Sequence, residues 1–173
     1  GPEDLYFGLY RTPPILVYNM DAVAEEDAPH DWDDLLDERW RDQVLIRDPV
    51  ASGTMRTIFG MILARSVADT GDTASGYEWL KRLDAQTKEY VHSPALLHQK
   101  MVRREGLVTM WELTDILFQR LRGAPLGYSF PTSGSPVIDD SIALVRGSPH
   151  AEVARAFIDW VGSREIQKLT AEK

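Results

Sequence analysis

A chain of 173 residues, 43% apolar and 27% charged, is long enough for a compact domain with a sizeable core. Its formal net charge of −8 argues against nucleic acid and anionic membrane surfaces, which need basic patches, and no run approaches the roughly 20 apolar residues of a spanning helix. The absence of cysteine excludes disulfides, thiol catalysis and thiolate metal sites. The start, Gly1-Pro2, has neither Met nor a signal peptide, so a processed or engineered end of something longer is expected.

Ile15-Leu16-Val17-Tyr18, between Pro13-Pro14 and Asn19, predicts a buried strand. An acidic connector follows (Glu25, Glu26, Asp27, Asp31, Asp33, Asp34), expected to be a solvated loop with a short helical piece from Trp32 to Asp37. Val44–Ile46 predicts a second strand. Met55, Ile58, Phe59, Ile62, Leu63 and Val67 have helical spacing from Thr54 to about Ala68, and Thr73 is placed to cap a second helix through Tyr77, Leu80 and Leu83. A short strand at Glu89–Val91 precedes a helix opened by Ser93-Pro94 and ended by Gly106. Leu107–Trp111 predicts a strand, Glu112–Arg122 a helix, and Leu126–Phe130 another strand before the turn-rich Pro131–Pro136. Val137-Ile138 and Ile142–Val145 predict strand around a polar step at Asp139-Asp140-Ser141. Two terminal helices follow, Ala151–Val161 and Arg164 to about Ala171, the first expected to bury Val153, Ala154, Phe157, Ile158 and Val161.

Strands alternating with helices define an α/β fold with a largely parallel sheet, in which ligands bind beyond the strand carboxyl ends. Asp48–Thr54, Trp111–Asp115 and Phe130–Ser135 all leave such ends. Ser52-Gly53-Thr54 opens a helix, where unpaired N–H groups and the positive dipole end favour an anion or an oxygen-rich ligand. The plainer alternative is that Ser52 is only an N-cap. Arg56, within the first turn, either adds donors to a phosphate or carboxylate or points to solvent.

Catalysis finds no support. The chain has no Gly-x-Ser-x-Gly elbow, Walker A lysine or Gly-x-Gly-x-x-Gly, and His30, His92, His98 and His150 are scattered without metal-pair spacing. Asp139 and Asp140 are strand neighbours that point to opposite faces. No cofactor and no metal site is expected.

Several segments in order resemble the second half of a periplasmic solute-binding protein of the iron/anion type that serves ABC importers. They include Val17-Tyr18-Asn19, the stretch from Ala28 to Asp37, Ile46–Thr54, Gly76–Leu80, Phe130–Ile138, Ile142–His150, Ala154–Trp160 and Ser163–Gln167. The resemblance implies a three-layer lobe of a two-lobe protein, with a mixed, largely parallel sheet flanked by helices and the first lobe absent. It places the lobe, with hinge strands near 15–19 and 131–145, in residues 1–145, and C-terminal helices in 146–173. Those helices would pack partly on the missing lobe, leaving apolar surface exposed.

By the same resemblance Ser52, Gly53 and Thr54 match the ligand-contacting helix start. Trp111-Glu112-Leu113-Thr114-Asp115 stands where iron-binding members carry adjacent tyrosines; with no tyrosine there, ferric iron is not expected. Trp111 either stacks on a ligand or belongs to the core, and Glu112 and Asp115 accept from hydroxyls or amines. Tyr18 and Asn19 lie at the hinge, and Thr132 and Ser133 in the return loop, as weaker candidates. The implied function is capture of a small anionic or oxygen-rich solute for an ABC permease, in the periplasm or outside the cell. The alternative is a sensory or protein-interaction domain derived from a solute-binding lobe.

Overall fold

The computed structural model describes residues 6–172; the Gly1-Pro2 start lies outside the described residues. The chain divides into two compact units, Pro13–Pro136 on the one hand and Gly1–Thr12 with Val137–Lys173 on the other.

In chain order the elements are β1 (Phe7–Thr12), β2 (Pro14–Asn19), β3 (Val44–Arg47), α1 (Gly53–Thr70), α2 (Ala74–Gln86), β4 (Thr87–Val91) and α3 (Pro94–Val102). Then come β5 (Val108–Glu112), α4 (Leu113–Leu121), β6 (Leu126–Ser129), β7 (Ile138–Ile142), α5 (Ala151–Val161) and α6 (Arg164–Ala171). The larger unit is a five-stranded sheet in the order β4-β3-β5-β2-β6. β3 runs parallel to β4 and β5, while β2 runs antiparallel to both β5 and β6. The sheet is therefore mixed but largely parallel, as the alternation of strands and helices implies.

Continuous apolar runs fill the strands because helices cover both sheet faces. Ile15, Leu16, Val17, Val44, Leu45, Ile46, Val108 and Met110 are fully buried, and α1 seats Met55 and Ile58, α3 Leu97 and Met101. Each such side chain contributes roughly 1.5–3 kcal/mol relative to exposure. Two glycines mark close approaches. A Cβ at Gly106 would lie 2.4 Å from Leu45 Cγ, and one at Gly127 would lie 2.3 Å from Tyr18 Cζ.

The acidic connector is not simply a solvated loop. It forms three short 3-10 turns and buries Trp32, Leu35, Leu36 and Trp40. Asp31 and Asp34 close a capping box on the Trp32–Leu36 turn. The Asp31 carboxylate also accepts from Thr132 Oγ1 at 2.9 Å, Ser133 N at 3.2 Å and Ser133 Oγ at 2.6 Å. Arg65 completes the latch by donating to Ser133 Oγ, Ser133 O and Gly134 O.

Several local expectations are corrected. The Thr73 hydroxyl makes no cap bond; Asp72 Oδ1 accepts from Ala74 N at 2.8 Å instead. α3 stops at Val102, where Arg104 turns the backbone at φ 60° before Gly106 is reached. In the smaller unit Asp139-Asp140-Ser141 does not interrupt the strand but is its centre, because β7 pairs antiparallel with β1, which the apolar pattern did not mark. This pairing joins the two ends of the smaller unit. Val153 and Phe157 of α5 are exposed rather than buried, and Trp160 and Leu169 are exposed as well. The apolar face of α5 thus has too little surface in the described residues to cover it.

Two outcomes are expected. Gly127→Ala drives a methyl into the Tyr18 ring and lowers unfolding free energy by about 1–3 kcal/mol, read by urea denaturation. Burial tends to raise the Asp31 pKa, but the hydrogen bonds from Ser133, Trp32 and Thr132 outweigh it, so the folded value lies below the usual 3.8. The unfolded state then binds more protons in that window, so the stabilisation is complete above the usual value and lost as pH falls through the folded one. Asp31→Asn should flatten this acid limb in pH-dependent thermal melts.

Candidate functional site

β3, β5 and β6 point the same way, so the segments that follow them gather at one sheet edge. At that edge Asp48 shapes the turn before α1. Its Oδ1 accepts from Val50 N at 2.8 Å, and its Oδ2 lies 3.0 Å from His92 Nδ1. Ser52 is a true N-cap: its hydroxyl accepts from Met55 N at 3.2 Å and its carbonyl from Arg56 N at 3.2 Å. The N–H groups of Gly53 and Thr54 find no acceptor among the described residues. They remain the open donors at the positive end of an 18-residue helix.

The Thr54 hydroxyl donates to Glu112 Oε1 and ties α1 to the end of β5. One turn into α4, Asp115 Oδ2 accepts from Trp111 Nε1 at 2.7 Å. Trp111 is buried in the core cluster, which favours its core role over that of a stacking platform. Glu112 and Asp115 are both half-buried; the Glu112 carboxylate stands beside the helix start, and Asp115 lies in the first turn of α4 against the Trp111 indole. The arrangement has two poles, N–H donors on one side and carboxylate acceptors on the other. Such a pair suits a solute carrying an anionic group and hydroxyls or an ammonium.

Not every candidate arrives there. Arg56 turns back, donating from Nη1 to Val50 O at 2.8 Å and Pro49 O at 3.3 Å, so it braces the turn. Its Nη2 is 4.0 Å from where a Gly53 Cβ would sit. Tyr18 and Asn19 lie at the opposite sheet edge, because β2 is antiparallel: Pro14 pairs with Glu112, but Tyr18 pairs with Val108 at the start of β5. There the Asn19 amide donates to Met101 O at 2.9 Å and its Oδ1 accepts from Asp21 N, which is loop-forming work. The Tyr18 phenol is pushed above its usual pKa by burial and by Glu25, against the opposing Arg120. Thr132 and Ser133 are committed to Asp31 and Arg65.

A groove of about 460 Å³ between α1, α2 and the Asp31 turn is lined by Asp31, Asp33, Arg65, Asp69 and Trp79 among others. It includes none of Ser52, Gly53, Thr54, Glu112 or Asp115, and its carboxylates repel the ligand class that a helix start attracts. Among the described residues no group of three or more His, Asp or Glu is arranged to hold a metal ion. The sequence reads His98, on its amphipathic helix, as a surface or partly buried residue rather than a catalyst. It is buried on α3 with its ring edge-on to Trp111, centroids 6.2 Å apart at 77°.

A profile of bacterial extracellular solute-binding proteins matches residues 2–173. The chain belongs to that family. A probable ABC transporter periplasmic-binding protein, y4fP of Sinorhizobium fredii, is 25% identical over 171 residues, covering 99% of this chain and 48% of its own. A putative 2-aminoethylphosphonate-binding periplasmic protein of Salmonella typhimurium is 24% identical over 177 residues, with 98% and 50% covered. In fold, the periplasmic binding protein AfuA of Actinobacillus pleuropneumoniae, with exogenous fructose-6-phosphate bound, is similar at a TM-score of 0.83 and 23% identity, covering 98% of this chain and 53% of that one. The chain thus spans about half the length of these relatives. For this family member, no helix among the described residues is long and apolar enough to cross a membrane.

Removing the N-cap tests the local architecture. Ser52→Ala leaves Met55 N without its acceptor and should lower stability by about 0.5–2 kcal/mol in urea denaturation, with the fold retained.

Proposed function

We propose that this chain is one lobe of the solute-binding component of an ABC uptake system, holding a small anionic or oxygen-rich solute and serving a membrane permease outside the cytoplasm rather than catalysing a reaction. The observation that supports the site is the pair of open N–H groups at Gly53 and Thr54, set beside Glu112, with Asp115 following in the first turn of α4. The N–H groups take the anionic end; the carboxylates take hydroxyls or an ammonium. The solutes named for two relatives have this bipolar character: aminoethylphosphonate joins a phosphonate to an amine, and fructose-6-phosphate a phosphate to hydroxyls.

The two chain crossings, Thr12–Pro13 and Pro136–Val137, serve as the hinge about which a first lobe closes over the solute. Closure recruits the remaining contacts and shifts the open–closed equilibrium that the permease reads. Helix-terminus contacts contribute roughly 0.3–2 kcal/mol each, whereas a micromolar site needs about 8 kcal/mol. One lobe alone therefore binds at about millimolar strength.

The test is an amide NMR titration of this chain with 2-aminoethylphosphonate, fructose 6-phosphate and inorganic phosphate. Shifts concentrated at Gly53 and Thr54, with millimolar affinity, are expected. Gly53→Ala adds a methyl that meets only Arg56 Nη2, so the melting temperature should hold while affinity falls tenfold or more, about 1.4 kcal/mol. Binding that leaves those amides unmoved overturns the site, and submicromolar affinity overturns the two-lobe account.

A further inference from the structure

α3 lays Leu97, His98 and Met101 onto the sheet face. Strand alternation places Trp111 and Thr109 of β5 on one face, and continuing the Val44–Val108 register puts Arg47 of β3 there too. That layer is polar to an unusual degree for a core. His98 Nε2, Thr109 Oγ1 and Arg47 Nε are each buried without a hydrogen-bond partner, although Arg47 Nη1 donates to Val91 O at 3.1 Å. Unpartnered buried atoms are costly, so their retention asks for a reason. Beside them the His98 ring abuts the indole of Trp111, whose N–H holds Asp115.

We propose that His98 is a positioning residue for the candidate site: its ring seats Trp111, and Trp111 in turn fixes the Asp115 carboxylate in the first turn of α4. The geometry also states what a proton would do. The charges facing His98 are few. Asp115 of α4 is the charge that acts on His98, while Glu89 of β4 is held by Lys100 of α3 at 2.8 Å and Arg47 of β3 donates from Nη1 to Val91 O. An imidazolium at His98 therefore has Asp115 as its nearest available counter-charge. Drawing that carboxylate inward breaks its bond to the indole and weakens the acceptor pole. Burial holds His98 below its usual pKa, with Asp115 partly opposing, so the ring is neutral at neutral pH.

The importance of Asp115 to solute rests on the function proposed above, but the relay is testable without any solute. In the ¹⁵N-labelled chain the Trp111 indole N–H resonance, assigned through Trp111→Phe, is followed between about pH 7.5 and 5 together with the His98 ring signals. The indole resonance should move to higher field in step with His98, with a midpoint below the usual value of 6.5. His98→Gln should abolish that pH dependence while the other indole signals stay in place. A titrating His98 with an unmoved Trp111 indole overturns the relay, as does a shift that persists in His98→Gln. Should His98→Gln fail to fold, Asp115→Asn decides: loss of the attracting charge lowers the His98 midpoint, and an unchanged midpoint overturns the proposal. Failure of the solute titration with the relay intact would count only against the solute site.

Discussion

The larger unit depends on one strand that runs against the others. β2 is buried along all six residues and bonds to β5 on one side and β6 on the other. Its antiparallel course brings the chain into the unit at Pro14, beside Glu112, the edge where the parallel strands end. The exit is stitched to the entrance, since Ser135 Oγ donates to Pro14 O at 2.6 Å. Both connections to the smaller unit thus leave from the edge that holds the open helix start. A parallel β2 would have put the entry connection at the end of the sheet opposite the chemistry.

The chain carries net negative charge, yet the best candidate ligand is an anion. Local geometry resolves this. At the edge the donors are backbone N–H groups at close range, while most carboxylates are engaged elsewhere: Asp31 in its latch, Asp33 with Trp79 Nε1, Asp34 with the His30 and Asp31 amides. Exposed charges beyond about a Debye length are screened, roughly 8 Å at physiological salt. The acidic connector therefore acts as a set of hydrogen-bond acceptors that hold loops in place, and its sign matters little to the site.

The apolar runs were legible because burial on both sheet faces leaves no alternation to misread, and β2, β3, β5 and α1 lie within a residue or two of their expected ends. β1 was not legible, and β7 only at its apolar ends. Both become strands by pairing with a segment more than a hundred residues away, and the polar centre of β7 offers no apolar run to read. Within the site, Ser52, Gly53 and Thr54 could be read because a helix start is a local event. The direction of Arg56, the burial of Trp111 and the presence of His98 behind it could not, since each depends on which carbonyl or ring the fold brings near. The separation of Tyr18 and Asn19 from the helix start follows from strand direction, which a single apolar run does not encode.

The same edge is held together by its own hydrogen bonds. Ser52 satisfies one first-turn donor, Arg56 braces the turn, and Thr54 is bonded to Glu112. What stays open is the pair of first-turn N–H groups at Gly53 and Thr54. The acceptor pole is likewise held before any ligand arrives, through the indole of Trp111. Donors and acceptors fixed in place in advance lose less entropy when a ligand meets them.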